Sequence, residues 1–93
     1  MSGGPTTATV GAVHAPRTLK AFPDAQRSTR KTVVPGGGLR HRWKDHKTGM
    51  IYEWDSQHGT VEMYDRLGHH LGEFDPETGR QIKPAQPGRR VEP

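Results

Sequence analysis

Between Leu39 and Lys83 apolar and polar residues alternate in short runs, each closed by glycine or a polar turn. A period of two predicts strands rather than helices. The runs fall near Leu39–Asp45, Met50–Asp55, Thr60–Tyr64 and His69–Phe74, with a short fifth near Arg80–Lys83. The links Lys47-Thr48-Gly49, Arg66-Leu67-Gly68 and Glu77-Thr78-Gly79 each end in glycine, which suits the positive φ of tight hairpin connections. The expected fold is therefore mainly β, a small antiparallel meander of four to five strands.

Alternation places Val61 and Met63 on one face of the third strand, and Thr60, Glu62 and Tyr64 on the other. On the second strand Tyr52 and Trp54 oppose Ile51, Glu53 and Asp55, so neither face is plainly the core. Trp43, Val61, Met63, Leu71 and Phe74 are the expected core, with one of Tyr52 and Trp54 left accessible. Before the meander, residues 1–19 are Gly-, Thr-, Ala- and Pro-rich and read as a linker. Residues 20–31 are expected to hold a brief helix, since Pro23 suits a first turn and Asp24 its positive end. Pro35-Gly36-Gly37-Gly38 then breaks the chain. The expected division is a flexible basic arm over 1–35 and a folded domain with a basic tail over 36–93. No internal repeat is visible.

Composition narrows the chemistry. Only 29% of the 93 residues are hydrophobic, enough for one small core and no large enzyme fold. No apolar run approaches the ~20 residues of a membrane-spanning helix. The absence of cysteine removes disulfides, thiolate metal sites and thiol nucleophiles, leaving histidine and carboxylates to carry any chemistry. The net charge is +4, and it is unevenly spread. Residues 1–35 set five Lys/Arg against Asp24, and residues 80–93 set four against Glu92, whereas residues 36–79 carry five bases and eight acids. Basic flanks fit an anionic partner, but an acidic centre repels phosphates unless the carboxylates have another task. Catalysis is such a task.

The run Tyr52-Glu53-Trp54-Asp55-Ser56-Gln57-His58-Gly59-Thr60-Val61-Glu62 gathers carboxylates and an imidazole across a strand, a turn and a strand. RNA can be cut without metal through its own 2′-hydroxyl if one group removes that proton, another protonates the leaving 5′-oxygen, and a cation steadies the phosphate. Glu62 is the candidate base, His58 the acid, Asp55 the group that orients His58, and an arginine the clamp. Arg40, Arg42 and Lys44 alternate onto one strand face as a row for phosphate contact. Tyr52 and Trp54 are candidates either for stacking on bases or for the core. His69 and His70 point to opposite strand faces, so no metal site, and no cofactor, is expected from them.

Ile51-Tyr52-Glu53-Trp54-Asp55-Ser56-Gln57-His58-Gly59, with Glu62, His70-Leu71-Gly72, Phe74-Asp75-Pro76 and Thr78-Gly79, resembles the signature of the colicin and cloacin ribonuclease domain, over roughly residues 36–90. The resemblance implies a strongly twisted antiparallel sheet and a toxin that makes one cut in the decoding region of 16S ribosomal RNA, stopping translation. It implies Asp55, His58, Glu62 and Arg89 as the catalytic set, with Arg90 as a one-residue alternative to Arg89. Members of the family often carry a further acid where this chain has Thr60. Lys83 and Arg90 join the expected RNA contacts. The resemblance further implies the ribosome as substrate, a small acidic immunity protein as inhibitor, a monomeric domain, and delivery within a larger toxin to act in the cytoplasm of a target cell. Alternatives are a non-catalytic RNA-binding or ribosome-associated module, and a toxin that cuts transfer RNA.

Overall fold

The computed structural model describes residues 12–93, and the first part of the expected linker lies outside the described residues. Six strands form one antiparallel sheet in chain order: β1 (Gln26–Ser28), β2 (Arg42–Lys44), β3 (Ile51–Asp55), β4 (Thr60–Tyr64), β5 (His70–Phe74) and β6 (Gln81–Pro84). The all-β meander is as the alternation predicts, with one strand more. The extra strand, β1, corrects the expected helix over 20–31. That stretch has too thin an apolar face to pack as a helix; instead two tight bonds, Phe22 N–H to Leu19 O and Ala25 N–H to Phe22 O, turn the chain. Gln26–Ser28 then pairs with β2.

One face of the sheet carries Trp43, Tyr52, Trp54, Val61 and Met63, all buried, with Leu19 and Ala25 laid over them and Phe22, Leu71 and Phe74 at the margin. The two indoles fix this cover. Trp43 Nε1 donates to Arg17 O at 3.0 Å and Trp54 Nε1 to Val13 O at 2.7 Å. A buried indole N–H without an acceptor costs about 1–3 kcal/mol, so the preceding segment completes the core. Residues 13–25 thus pack against this face of the sheet. Both Tyr52 and Trp54 are enclosed, each 5% exposed. This corrects the expectation that one stays accessible, and removes both as stacking platforms, because their ring faces are spent on the core.

The opposite face explains the acidic centre. Register sets Arg42 opposite Glu53, Glu53 opposite Glu62, Glu62 opposite Glu73, and Glu73 opposite Lys83. Like charges directly opposite one another destabilise a sheet, so each of the three carboxylates needs its own compensation. Arg42 provides it for Glu53: Nε and Nη2 reach Oε2 at 3.0 and 2.7 Å, and Thr32 Oγ1 donates to the same oxygen at 2.6 Å. Arg42 is 1% exposed. It is consequently a structural ion pair and not a phosphate contact, which corrects its place in the expected basic row.

The hairpin connections repeat at a spacing that sequence reading passed over. Asp45, Asp55, Asp65 and Asp75 stand ten residues apart. Each Oδ1 accepts backbone N–H groups two to four residues on, as in an Asx turn. Gly49, Gly59, Gly68 and Gly79 close these turns with an N–H bond to the aspartate carbonyl, all at positive φ. Among the described residues no helix is long and apolar enough to cross a membrane.

Candidate active site

Asp55 ends β3 and caps the turn into β4, and its two oxygens divide the work. Oδ1 accepts the N–H groups of Gln57 (2.9 Å) and His58 (3.2 Å), while Oδ2 meets His58 Nδ1 at 2.7 Å. The capping role and the histidine-orienting role are therefore both filled by one side chain. Burial pushes the Asp55 carboxyl up, but hydrogen bonds from the His58 ring and from the His58 and Gln57 amides outweigh it, and the group sits below its ordinary range. Nδ1 is thus committed to Asp55, and the His58 ring is half-exposed.

Glu62, at the centre of β4, is buried and held from two sides. Oε1 lies 2.8 Å from His70 Nε2 and 3.5 Å from Arg89 Nη1. The other His70 nitrogen, Nδ1, accepts the backbone N–H of Gln86 at 2.9 Å. An imidazole that accepts at Nδ1 must carry its proton on Nε2, so His70 is a neutral ring donating to a Glu62 carboxylate. The motif alone assigns His70 no role. The available signal was its position: alternation puts it on the strand face opposite His69, whose ring instead meets exposed Asp65 at 3.2 Å.

A pocket of ≈ 170 Å³ joins these groups, with Asp55, His58, Glu62, His70 and Glu73 on the sheet side and Arg40, Lys83 and Arg89 as its cations. Arg40 is fixed by a bond from Nη1 to Trp54 O at 3.2 Å. Arg89 Nη1 also donates to Gln86 Oε1 at 3.2 Å, and its guanidinium lies 5.9 Å from the Tyr64 ring centre. Burial raises the Tyr64 hydroxyl's pKa, with Arg89 opposing in part. Arg90 turns away: its Nη2 reaches Leu67 O at 3.3 Å, and it does not line the pocket. Lys44 lies on β2 outside the pocket. Thus the pocket unites Asp55, His58, Glu62, Arg89, Arg40 and Lys83, and leaves out Arg42, Lys44, Tyr52, Trp54 and Arg90. Asp55, His58 and Glu73 each offer one ligand-type atom within 4.8 Å of the others, the one spacing suited to a cation among the described residues.

Such an arrangement sets carboxylates and an imidazole around one cavity beside guanidinium groups, residue types that can carry acid–base chemistry next to a phosphate. Residues 13–92 match the family described as Cytotoxic, and the chain belongs to that family, the colicin and cloacin type of cytotoxic domain. Colicin E3 of Escherichia coli is 47% identical over 81 residues, which cover 83% of this chain and 15% of that protein. Cloacin is 54% and colicin-E6 53% identical over 57 residues, each covering 60% of this chain and 10% of the relative. The chain therefore spans between a tenth and a sixth of the length of these curated relatives.

Proposed function

We propose that this domain is a metal-independent endoribonuclease that cuts 16S ribosomal RNA in the decoding region. The observation that carries the proposal is that Glu62 and His58 line one pocket, each with one nitrogen or oxygen tied to a protein partner. Glu62, its Oε1 occupied by His70 and Arg89, takes the 2′-hydroxyl proton on Oε2. The 2′-oxygen attacks the adjacent phosphorus, and His58 Nε2–H protonates the departing 5′-oxygen. Arg89, with Arg40 and Lys83, faces the charge that builds on the phosphoryl oxygens. The products of this step are a 2′,3′-cyclic phosphate and a 5′-hydroxyl. No atom of the scheme needs a metal ion. A non-catalytic RNA binder fits less well, since the aromatic rings that would stack on bases are closed in the core.

As a toxin, the domain would travel within a larger protein, act in the cytoplasm of a target cell, and be restrained beforehand by a small acidic immunity protein attracted to its net positive charge. The testing experiment incubates the domain with intact ribosomes in excess chelator and maps new RNA ends. One new end in the decoding region of 16S RNA is expected. Loss of cutting that one divalent ion restores would refute metal independence, and cleavage of transfer RNA instead would refute the substrate.

A further inference from the structure

Glu73 belongs to no part of the scheme above, yet it is buried and lines the same pocket. It stands on β5 directly opposite Glu62. Its Oε2 accepts from the Thr60 hydroxyl at 2.7 Å, and its Oε1 lies 3.8 Å from the ammonium of the exposed Lys83. A carboxylate is costly to bury next to another carboxylate and beside a phosphate site. One carboxylate oxygen of Glu73, one of Asp55 and a ring nitrogen of His58 lie within 4.8 Å of one another.

We propose that Glu73 is a positioning residue that acts through His58: with Asp55 it brackets the imidazole between two carboxylates and favours its protonated, acid-competent form. The inference rests on the acid role given to His58. The other charges facing the ring are Glu62 from β4, which shares the pocket but is engaged by His70 and Arg89, and the cations Arg40, Lys83 and Arg89. Lys83 is largely solvated, so it screens Glu73 only in part. Thr60 fixes the carboxylate's direction, and Gly72 lets β6 close over β5: a Cβ there would collide with Gln81 Nε2 and Lys83 O.

The test is nuclear magnetic resonance titration of the His58 ring in the free protein, needing no RNA, in the wild type, Glu73→Gln and Thr60→Val. Glu73→Gln keeps the shape and the Thr60 bond but removes the charge. It is expected to weaken the ring's hold on its proton by roughly three- to tenfold, as removal of a partly screened charge about 5 Å away would. Thr60→Val keeps the charge and is expected to shift the titration less. An unchanged titration in Glu73→Gln would overturn the inference, as would an equal shift in Thr60→Val, which would assign the effect to packing. On ribosomes, the alkaline limb of the rate–pH profile of Glu73→Gln is expected to move to lower pH. A shifted ring titration in a protein that cuts no RNA would leave the coupling standing and refute the ribonuclease reading alone.

Discussion

At the scale of single residues, the proposed reaction separates groups that would move protons from groups that hold the pocket in place. Glu62→Gln removes proton acceptance with little change of shape, and His58→Ala removes donation. Each is expected to slow cleavage by about 10²–10⁴-fold with ribosome binding retained, measured as single-turnover rate and binding on the same preparations. A near-normal rate for Glu62→Gln would move the base to another carboxylate. The arginines divide differently. Arg89→Ala is expected to lose activity at nearly unchanged stability. Arg42→Ala, by contrast, strands Glu53, whose Oε1 is already the one buried side-chain polar atom without a partner among the described residues. Loss of one member of a buried pair costs about 3–5 kcal/mol, so urea unfolding is expected to show a large loss for Arg42→Ala alone. Equal stability of the two variants would return Arg42 to the RNA-binding surface.

At the scale of elements, the recurring Asx turns set the acid sensitivity of the fold. The Asp55, Asp65 and Asp75 carboxyls all sit below their ordinary 3.8. For Asp65 the His69 amide is the main cause, and for Asp75 the Thr78 amide. A group whose pKa is lowered by folding stabilises the protein above its unfolded value and loses that contribution as pH falls through the folded one. Stability is therefore expected to fall below about pH 4, and Asp75→Asn to flatten that fall without touching the pocket; equal acid slopes for the two proteins in urea titrations would contradict this. The tail is a second element with its own lock. Gly68 sits at φ +87°, and a Cβ there would strike Val91 O, the residue whose N–H bonds Gly68 O at 3.0 Å. Gly68→Ala is expected to loosen the strand-like pairing of His69 with Arg90 and, with it, the placement of Arg89 and the Gln86 amide that fixes His70. Cleavage should fall while the sheet's circular dichroism stays; full activity in this variant would show that the tail does not position the clamp.

For the molecule as a whole, strand positions were legible because period-two alternation and glycine-closed turns are local signals: β4 falls where it was expected and β3 and β5 within one residue. The choice of core face was not legible, since both faces of β3 and β4 are buried, one by the apolar cover of residues 13–25 and the other by a polar network. That network depends on which residues stand opposite across strands. Arg42 against Glu53 and Glu73 against Glu62 are separated by 11 residues each, so no single-strand pattern marks them. That Asp55, His58 and Glu62 would lie close together was legible because the first two share a turn and the motif is dense. His70 and Glu73 were not, as their roles arise from the tail amide and from the neighbouring strand. Taken together, the fold sets a carboxylate-lined pocket among cationic side chains, and the proposed reaction that unites these features is attack by the RNA's own 2′-hydroxyl.

The most direct measurement of that claim is the chemistry of the ends left on ribosomal RNA after cutting in excess chelator. A 2′,3′-cyclic phosphate is expected on the upstream fragment and a 5′-hydroxyl on the downstream one, both absent with Glu62→Gln. A 5′-phosphate with a free 3′-hydroxyl, or ends formed only when a divalent ion is supplied, would contradict it.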